Sequence, residues 1–564
     1  MKKLKKTLTI VILAGLMLVI LGNSNVFANN ADLLEKTEYT EEFKKWLELS
    51  DEEKENVIMP RPYEVENTSI KSSNPFNIAR MLKASINRRY SLKDEIPSNL
   101  IIKNQMQTNS CWTFATLSSL ETNLALSNKK NGVNLSKVYD FSERHMEYAT
   151  SKTFLNNVEN KSGYNRKVGT GGNSTMAQSY LTNGTGAVPE SEMPFENNED
   201  IIDISKIKNK TLSSQVYDTV DFPDYQKEKN EENKTEILNK IKKHIQNYGS
   251  IYAGLHGASS EVSAFNCYND ETGAKYCNNT YLHNADHAVS IIGWDDEYSI
   301  DNFPASARPT KKGAWIVRNS WGEKVEFELS KIKEEIFNAY KQDCIKLGWN
   351  SAEEIPNSFL EKSGFTVDGN KAFRAYGDNG IIYVSYEDVN ISKTMFGIEK
   401  ATDTVNYDYL YQYDEFYPFG QITAKQSNVM ICNVFDKKTS GTEYITQVSL
   451  FAPETYTCKV YVNPNGTSKA QDDLQLVTLK AGESETISQG YHTLEFSKPI
   501  EIKSNSFAVA IEIQGTKSTV KVALESKVSE LKELDSVVNE TGKCFITTDK
   551  NEWIDLGNLK SGEY

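Results

Sequence analysis

The sequence predicts an α+β domain followed by an all-β sandwich, and three features of the 564-residue chain point there. The first is Asn104–Ala115, where a polar, turn-prone segment runs straight into Cys111, Trp112 and a helical pattern. The second is a set of apolar runs, Ser250–Leu255, Ala288–Trp294 and Ala314–Arg318, that read as buried strands. The third is a change of texture after Asp388, where short alternating runs between turns replace helix signals.

At the N-terminus, Lys2, Lys3, Lys5 and Lys6 precede an apolar run from Leu8 to Leu21, and Val26-Phe27-Ala28 supplies small residues for cleavage. Residues 1–28 are therefore expected to be a signal peptide, the run being short for a membrane span. Residues 29–89 are charged and helical in pattern. Phe43, Trp46 and Leu47 share a face, Ser50-Asp51-Glu52-Glu53 opens a capping box, and Pro60 and Pro62 break the pattern. This stretch reads as a pro-segment with the basic pair Arg88-Arg89 near its end. A helical extension that stays attached is the other reading.

Length allows two or three domains. A formal charge of −14 excludes the basic surface a nucleic-acid partner requires. Seven cysteines leave at least one thiol free and are too few for a disulfide scaffold. Cys267 and Cys277 bracket a polar loop, either as a pair or as two free thiols.

From Tyr90 the chain turns globular. Phe114, Leu117, Leu120 and Leu124 recur at the spacing of one helix face, and Ser110 fits the N-cap. Cys111 then falls in the first turn, where the helix dipole and free N–H groups favour a thiolate. Gln105 can present an amide where an oxyanion forms. A second helix is expected over Phe141–Ala149. Next come the loop Gly169-Thr170-Gly171-Gly172-Asn173 and a helix through Met176 and Leu181 that ends at Asn183-Gly184. Residues 196–240 are polar and give no pattern. His287 heads one buried run, and Asn319-Ser320-Trp321-Gly322 ends another. A cysteine nucleophile needs an adjacent base, and that base needs an orienting group on its other nitrogen. An Asn can orient an imidazolium while leaving its charge intact, and Trp321 can shield the pair.

The order Gln…Cys-Trp…Asp-His-Ala-Val…Asn-Ser-Trp-Gly resembles the papain-like cysteine proteases, from about Tyr90 to Asp388. The resemblance implies a two-lobed catalytic domain at 90–389, one lobe helical and the other β-barrel-like. It implies Cys111 as nucleophile, His287 as general base and acid, Asn319 as the orienting residue, and Gln105 with the Cys111 N–H as the oxyanion hole. Gly171 and Gly172 match the loop that pairs with an extended substrate. Asn173, Gly254 and Ala285 match a roomy S2 pocket. Tyr90-Ser91-Leu92-Lys93-Asp94 looks like the start of the mature enzyme, and Gly377–Tyr386 like the final strand. Departures are Thr108 and Gly169, standing where many members have a disulfide, and Asn109 in place of a glycine. An insert of helical pattern, Glu323–Ala375, is expected at the rim of the site. Its helix signals are the face Leu329, Ile332, Ile336 and Tyr340 and a capping box at Ser351–Glu354.

Over 390–564, strands are expected at Tyr444–Phe451, Thr457–Val462, Tyr491–Phe496, Phe507–Gln514 and Thr519–Leu524, with a helix only at Val528–Val538. This half resembles the lectin-like module of clostridial secreted proteases. Its aromatic stretch Asn406–Phe419 is either a ring-stacking surface for cell-wall or host glycans or the first strand and core of the sandwich. No cofactor is required. A structural calcium near Asp408 and Asp414 is the one metal considered there. The expected protein is a secreted monomer acting on proteins or peptides, loosely associated with the cell surface at most and free of the membrane after signal cleavage. Three alternatives stand beside it. An amidase or transglutaminase shares the nucleophile logic, and a silent adhesin would use only the sandwich. A metal enzyme drawn from His283, Asp286, His287 and Cys277 needs a helix where a strand is predicted.

Overall fold

Helix α1 (Cys111–Asn131) starts where the polar segment ends and stops at Gly132, whose φ of +68° closes the C-cap in the left-handed region that glycine tolerates. Its residues from Cys111 to Leu126 are all buried, a wider surface than the single apolar face expected. The polar ones are paired. Ser118 Oγ lies 2.8 Å from Ser290 Oγ, Thr122 Oγ1 lies 2.9 Å from Ser250 Oγ, and Asn123 Nδ2 donates to the Tyr248 and Ile398 carbonyls at 2.8 Å.

In this computed structural model the chain forms two units, residues 40–410 and residues 411–564 with the stretch up to Tyr39. Described are residues 33–55, 57–67, 86–106, 108–151, 163–196, 212–257, 267–269, 271–278, 284–362, 365–375, 377–535, 537 and 540–558. The expected signal peptide and His283 lie outside them. No helix among the described residues is long and apolar enough to cross a membrane.

The first unit is built on an antiparallel sheet of β1 (Gln215–Asp221), β2 (Ile251–Leu255), β3 (His287–Asp295), β4 (Ala314–Arg318), β5 (Ile381–Ser385) and β6 (Phe396–Thr402). These run in the order β1-β6-β2-β3-β4-β5. The sheet is open, which corrects the barrel-like expectation. Strand β6 extends the unit beyond the boundary expected at 389/390. Helices α2 (Glu143–Ala149), α3 (Ser174–Thr182) and α4 (Glu231–Tyr248) complete it. Arg89–Ser91 adds to β3, with Tyr90 stacked on Trp294 at 5.1 Å. Gly293 permits this, since a Cβ there would stand 2.2 Å from the Tyr90 carbonyl oxygen.

The N-terminal helix Glu41–Leu47 is capped by Thr40 and buries Phe43 and Trp46. The predicted capping box forms, Ser50 N–H bonding Glu53 at 2.9 Å and Glu53 N–H bonding Ser50 Oγ at 3.3 Å. Arg61 then ties this segment to the sheet, donating to Asp221 and to the Phe222 carbonyl, each at 3.0 Å. The insert holds the expected helix, Leu329–Ala339, but also a three-stranded sheet: Lys324–Glu328 and Phe365–Asp368 flank Lys371–Ala375.

The second unit is β-rich and buries a large apolar cluster with a smaller one formed by Met430, Cys432, Val434, Leu474, Ala508 and Ala510. Asn428–Asp436, Tyr456–Asn463 and Ser506–Gly515 share one sheet. Tyr444–Ala452 pairs with Gly490–Glu501, and Gly420–Ala424 pairs with Val520–Leu524. Leu34–Lys36 adds an edge strand to Gly420–Ala424 and buries Leu34 in the large cluster. The helix expected at Val528–Val538 is, in the described residues, only a 3-10 turn at Lys532–Leu534. Tyr411 and Tyr413 pack on Phe435, and Phe416 and Phe419 are buried, so the aromatic stretch there is core, preceding the first strand instead of forming it. Asp408 and Asp414 are exposed. Among the described residues no group of three or more His, Cys, Asp or Glu is arranged to hold a metal.

Candidate active site

The backbone N–H groups of Ala288 and Trp112 act on the Cys111 thiol and work to draw its pKa down. Ala288 follows His287 at the head of β3, so the sulfur meets the strand next to the imidazole-bearing residue. The register that brings them there is set further along, by the contact between Ser118 and Ser290. Seven residues of helix and three of strand each rise by about 10 Å, so a match at that contact carries Cys111 and His287 to the same level.

His287 Nε2 lies 2.7 Å from Asn319 Oδ1, which also accepts the Ser320 N–H at 2.8 Å. With the amide oxygen on Nε2, that nitrogen carries a proton and Nδ1 is left for the sulfur. Asn319 is fixed by its position after β4, its N–H donating to the Gly380 carbonyl at 3.0 Å. Trp321 packs over the imidazole with ring centroids 4.7 Å apart. Gln105 is buried. Its Oε1 accepts from Ser320 Oγ at 2.6 Å, and its Nε2 donates to the Thr108 carbonyl at 2.7 Å, which leaves one amide N–H uncommitted. The Ser110 hydroxyl makes no cap hydrogen bond, contrary to expectation; its carbonyl accepts the Thr113 N–H instead.

Burial pushes the Cys111 thiol up to about 12, against the two N–H groups that draw it down. Burial also pulls His287 below the usual imidazole range, while Asn319 and Asp286 work to raise it. Desolvation thus disfavours both charged forms and opposes the helix-start effect expected from sequence. Beside them, burial works to raise the Asp286 carboxyl, but His256, 3.2 Å away, and the Gly257 N–H prevail and hold it low.

Two of the predicted substrate-binding residues, Ala285 and Asn173, meet the N-terminal segment. The Ile58 N–H donates to the Ala285 carbonyl at 2.7 Å, and Met59, buried, places its Sδ 3.9 Å from Asn173 Nδ2. A Cβ on Gly254 would stand 3.6 Å from the Ala285 Cβ and 2.8 Å from Thr394 Oγ1, a buried neighbour the sequence did not suggest. Gly172 lies on Trp112, where a Cβ would come within 2.4 Å of the indole.

Two further residues organise this loop and were missed from sequence. Glu147 accepts from Trp112 Nε1 at 3.1 Å, from the Gly169 N–H at 2.8 Å and from Arg166 at 2.6 Å. Arg166 also donates to the Gly171 carbonyl and lies 5.3 Å from the Trp112 ring. Asn109 Nδ2 donates to the Gly169 carbonyl at 3.1 Å, so polar contacts link the loop before Cys111 to the glycine loop. A charged residue on a buried helix such as α2 was the signal available.

Residues 95–328 match the family model described as papain family cysteine protease, and residues 410–563 match that of a lectin like domain. No curated protein matches the chain. The crystal structure of the cysteine protease and lectin-like domains of Cwp84, a surface layer associated protein of Clostridium difficile, is similar over 93% of this chain and 94% of its own. Identity is 21% and the TM-score 0.66. Clostridial Cwp84 after propeptide cleavage is similar over 84% and 95%, at 21% identity and a TM-score of 0.60. The chain carries a papain-family cysteine protease domain followed by a β-rich lectin-like domain.

Proposed function

We propose that the protein is an exported cysteine endopeptidase made as a zymogen, with Cys111, His287, Asn319 and Gln105 in the roles of nucleophile, general base and acid, orienting residue and oxyanion donor. The observation that carries this is the His287–Asn319 hydrogen bond at 2.7 Å, which occupies Nε2 and leaves Nδ1 as the ring nitrogen available to a thiol. His287 takes the thiol proton and the sulfur attacks a peptide carbonyl. The charge on its oxygen is met by the Cys111 N–H and the uncommitted N–H of Gln105. His287 then protonates the leaving amine and activates water to free the acyl-enzyme.

Ile58 and Met59 support the zymogen reading, since they contact Ala285 and Asn173, two of the residues expected to bind substrate. Their removal hydrates the cleft and lessens the desolvation that disfavours both charged forms. Met59 beside Asn173, with Gly254 and Ala285 adjoining, suggests a pocket that takes an unbranched apolar side chain. Arg88-Arg89 is an accessible place for the processing cut, Arg88 being 82% exposed. Export is favoured by the sequence of residues 1–28 and by the surface layer association of Cwp84. The lectin-like domain suggests a glycan of the cell wall or host as its partner.

Incubation with casein and a reductant tests this. The native protein should shed its N-terminal segment and cleave casein, while Cys111→Ala stays intact with a rate about 10⁴-fold lower or less. Gln105→Ala should lose roughly 10²–10³-fold in kcat. Equal cleavage by Cys111→Ala would overturn the assignment. A hydroxamate product formed in preference to hydrolysis when hydroxylamine is present would point to a transferase.

A further inference from the structure

Two sulfurs away from the nucleophile stand closer than unbonded atoms pack. Cys267 precedes the short strand Tyr268–Asn269, and Cys277 follows its antiparallel partner Ala274–Lys275, so the two close the stem of one hairpin. The Tyr276 N–H donates to the Cys267 carbonyl at 2.8 Å. Their Sγ atoms are 2.7 Å apart. Even carbon atoms pack at roughly 3.5–4.0 Å, whereas a bonded sulfur pair sits at about 2.05 Å. Both side chains are buried. Cys277 is held on either side, its N–H donating to Asp388 at 2.9 Å and its carbonyl accepting from Val389 at 3.1 Å.

We propose that Cys267 and Cys277 form a disulfide that staples this hairpin to the edge of the sheet. The hairpin's second strand pairs with β5, Ala274 facing Tyr383 and Lys275 facing Val384. The chemistry needs one co-reactant, a low-molecular-weight disulfide. The Cys267 thiolate attacks it and expels one thiolate. Cys277, giving up its proton, then displaces the second, so that two cysteine thiols are oxidised and one disulfide is reduced to two thiols. The pair is suited to this. Contact with Cys277 and the charges of Lys275 and His256 draw the Cys267 thiol down to about 7 against burial, and the Lys275 Nζ lies 3.9 Å from its sulfur. Burial of the finished bond would let it outlast the reductant that keeps Cys111 active. The inference is independent of the peptidase reading.

The test uses the full chain carrying Cys111→Ala, which removes self-cleavage and thiol scrambling. It is equilibrated with oxidised glutathione, alkylated with N-ethylmaleimide in denaturant and digested with trypsin. Trypsin cuts after Lys275, between the two cysteines, so the bond would appear as two tryptic peptides joined and two hydrogens lighter than their sum. Reduction should separate them and lower Tm by about 5 °C, a shift absent from a Cys267→Ser, Cys277→Ser copy. Recovery of both peptides carrying the maleimide overturns the proposal, whatever the variant does.

Discussion

In the peptidase unit the contacts that shape the site are polar and directional, whereas the lectin-like unit is held by strands whose inward residues are almost all apolar. Ser118 on Ser290, Asn319 on His287, and Glu147 on Trp112, Gly169 and Arg166 each fix a distance and an angle. The second unit buries Ile422, Val460, Leu494, Ile511 and Val522 in one cluster, where many packings of similar volume serve equally. An apolar core fixes a fold, but a reacting geometry also needs partners that specify direction.

Breaking the polar side should cost function as well as stability. Glu147→Gln keeps the shape but removes the buried carboxylate that Arg166 meets at 2.6 Å, a loss of roughly 3–5 kcal/mol. Because Glu147 also holds the Gly169 N–H and the Trp112 indole, kcat/KM should fall by about tenfold to a hundredfold at temperatures where the variant is folded. Thermal unfolding and peptide kinetics on one sample check both, and an unchanged kcat/KM would reduce Glu147 to a purely structural role. Ile511→Ala, in the apolar core, should lose about 2–4 kcal/mol of its own unit's stability with peptide kcat/KM unaltered. A matching fall in turnover would erase the contrast.

The sequence made the apolar side of this comparison legible and much of the polar side invisible. The β runs after Asp388 were readable because inward residues alternate, and Ser506–Gly515 and Tyr456–Asn463 lie within a residue or two of expectation. Cys111, His287 and Asn319 were readable because their neighbours form short motifs. Glu147 and Arg166 were not, since a buried ion pair leaves no periodicity and its partners are far apart in the chain. Helix α4 was missed for a different reason. Asn230 caps it and Ile237, Ile241 and Ile245 mark its buried face, but the surrounding Lys, Glu and Asn masked that four-residue spacing. The strand pairs of the insert escaped because charged residues such as Lys324, Glu328, Asp368 and Lys371 interrupt their apolar pattern.

A polar group without a partner sharpens the contrast from the other direction. His244, on α4, is buried against Phe222 and Tyr248, and neither ring nitrogen has a hydrogen-bond partner among the described residues. Gly397 accommodates it, since a Cβ there would come within 2.2 Å of Nε2. Burial pulls the imidazole down to about 3 from its ordinary value near 6.5. Above that ordinary value both folded and unfolded chains are neutral at this position, and it costs nothing. As pH falls below it the unfolded chain takes up a proton that the folded one refuses, so stability declines by up to about 1.4 kcal/mol per pH unit until the folded ring titrates. The stability of His244→Leu relative to the parent should therefore be about 2 kcal/mol greater at pH 5 than near pH 7.5, measured by denaturant titration in a Cys111→Ala background. A pH-independent difference would mean that the ring contributes through packing alone, and that a buried polar group in this unit is tolerated without a partner.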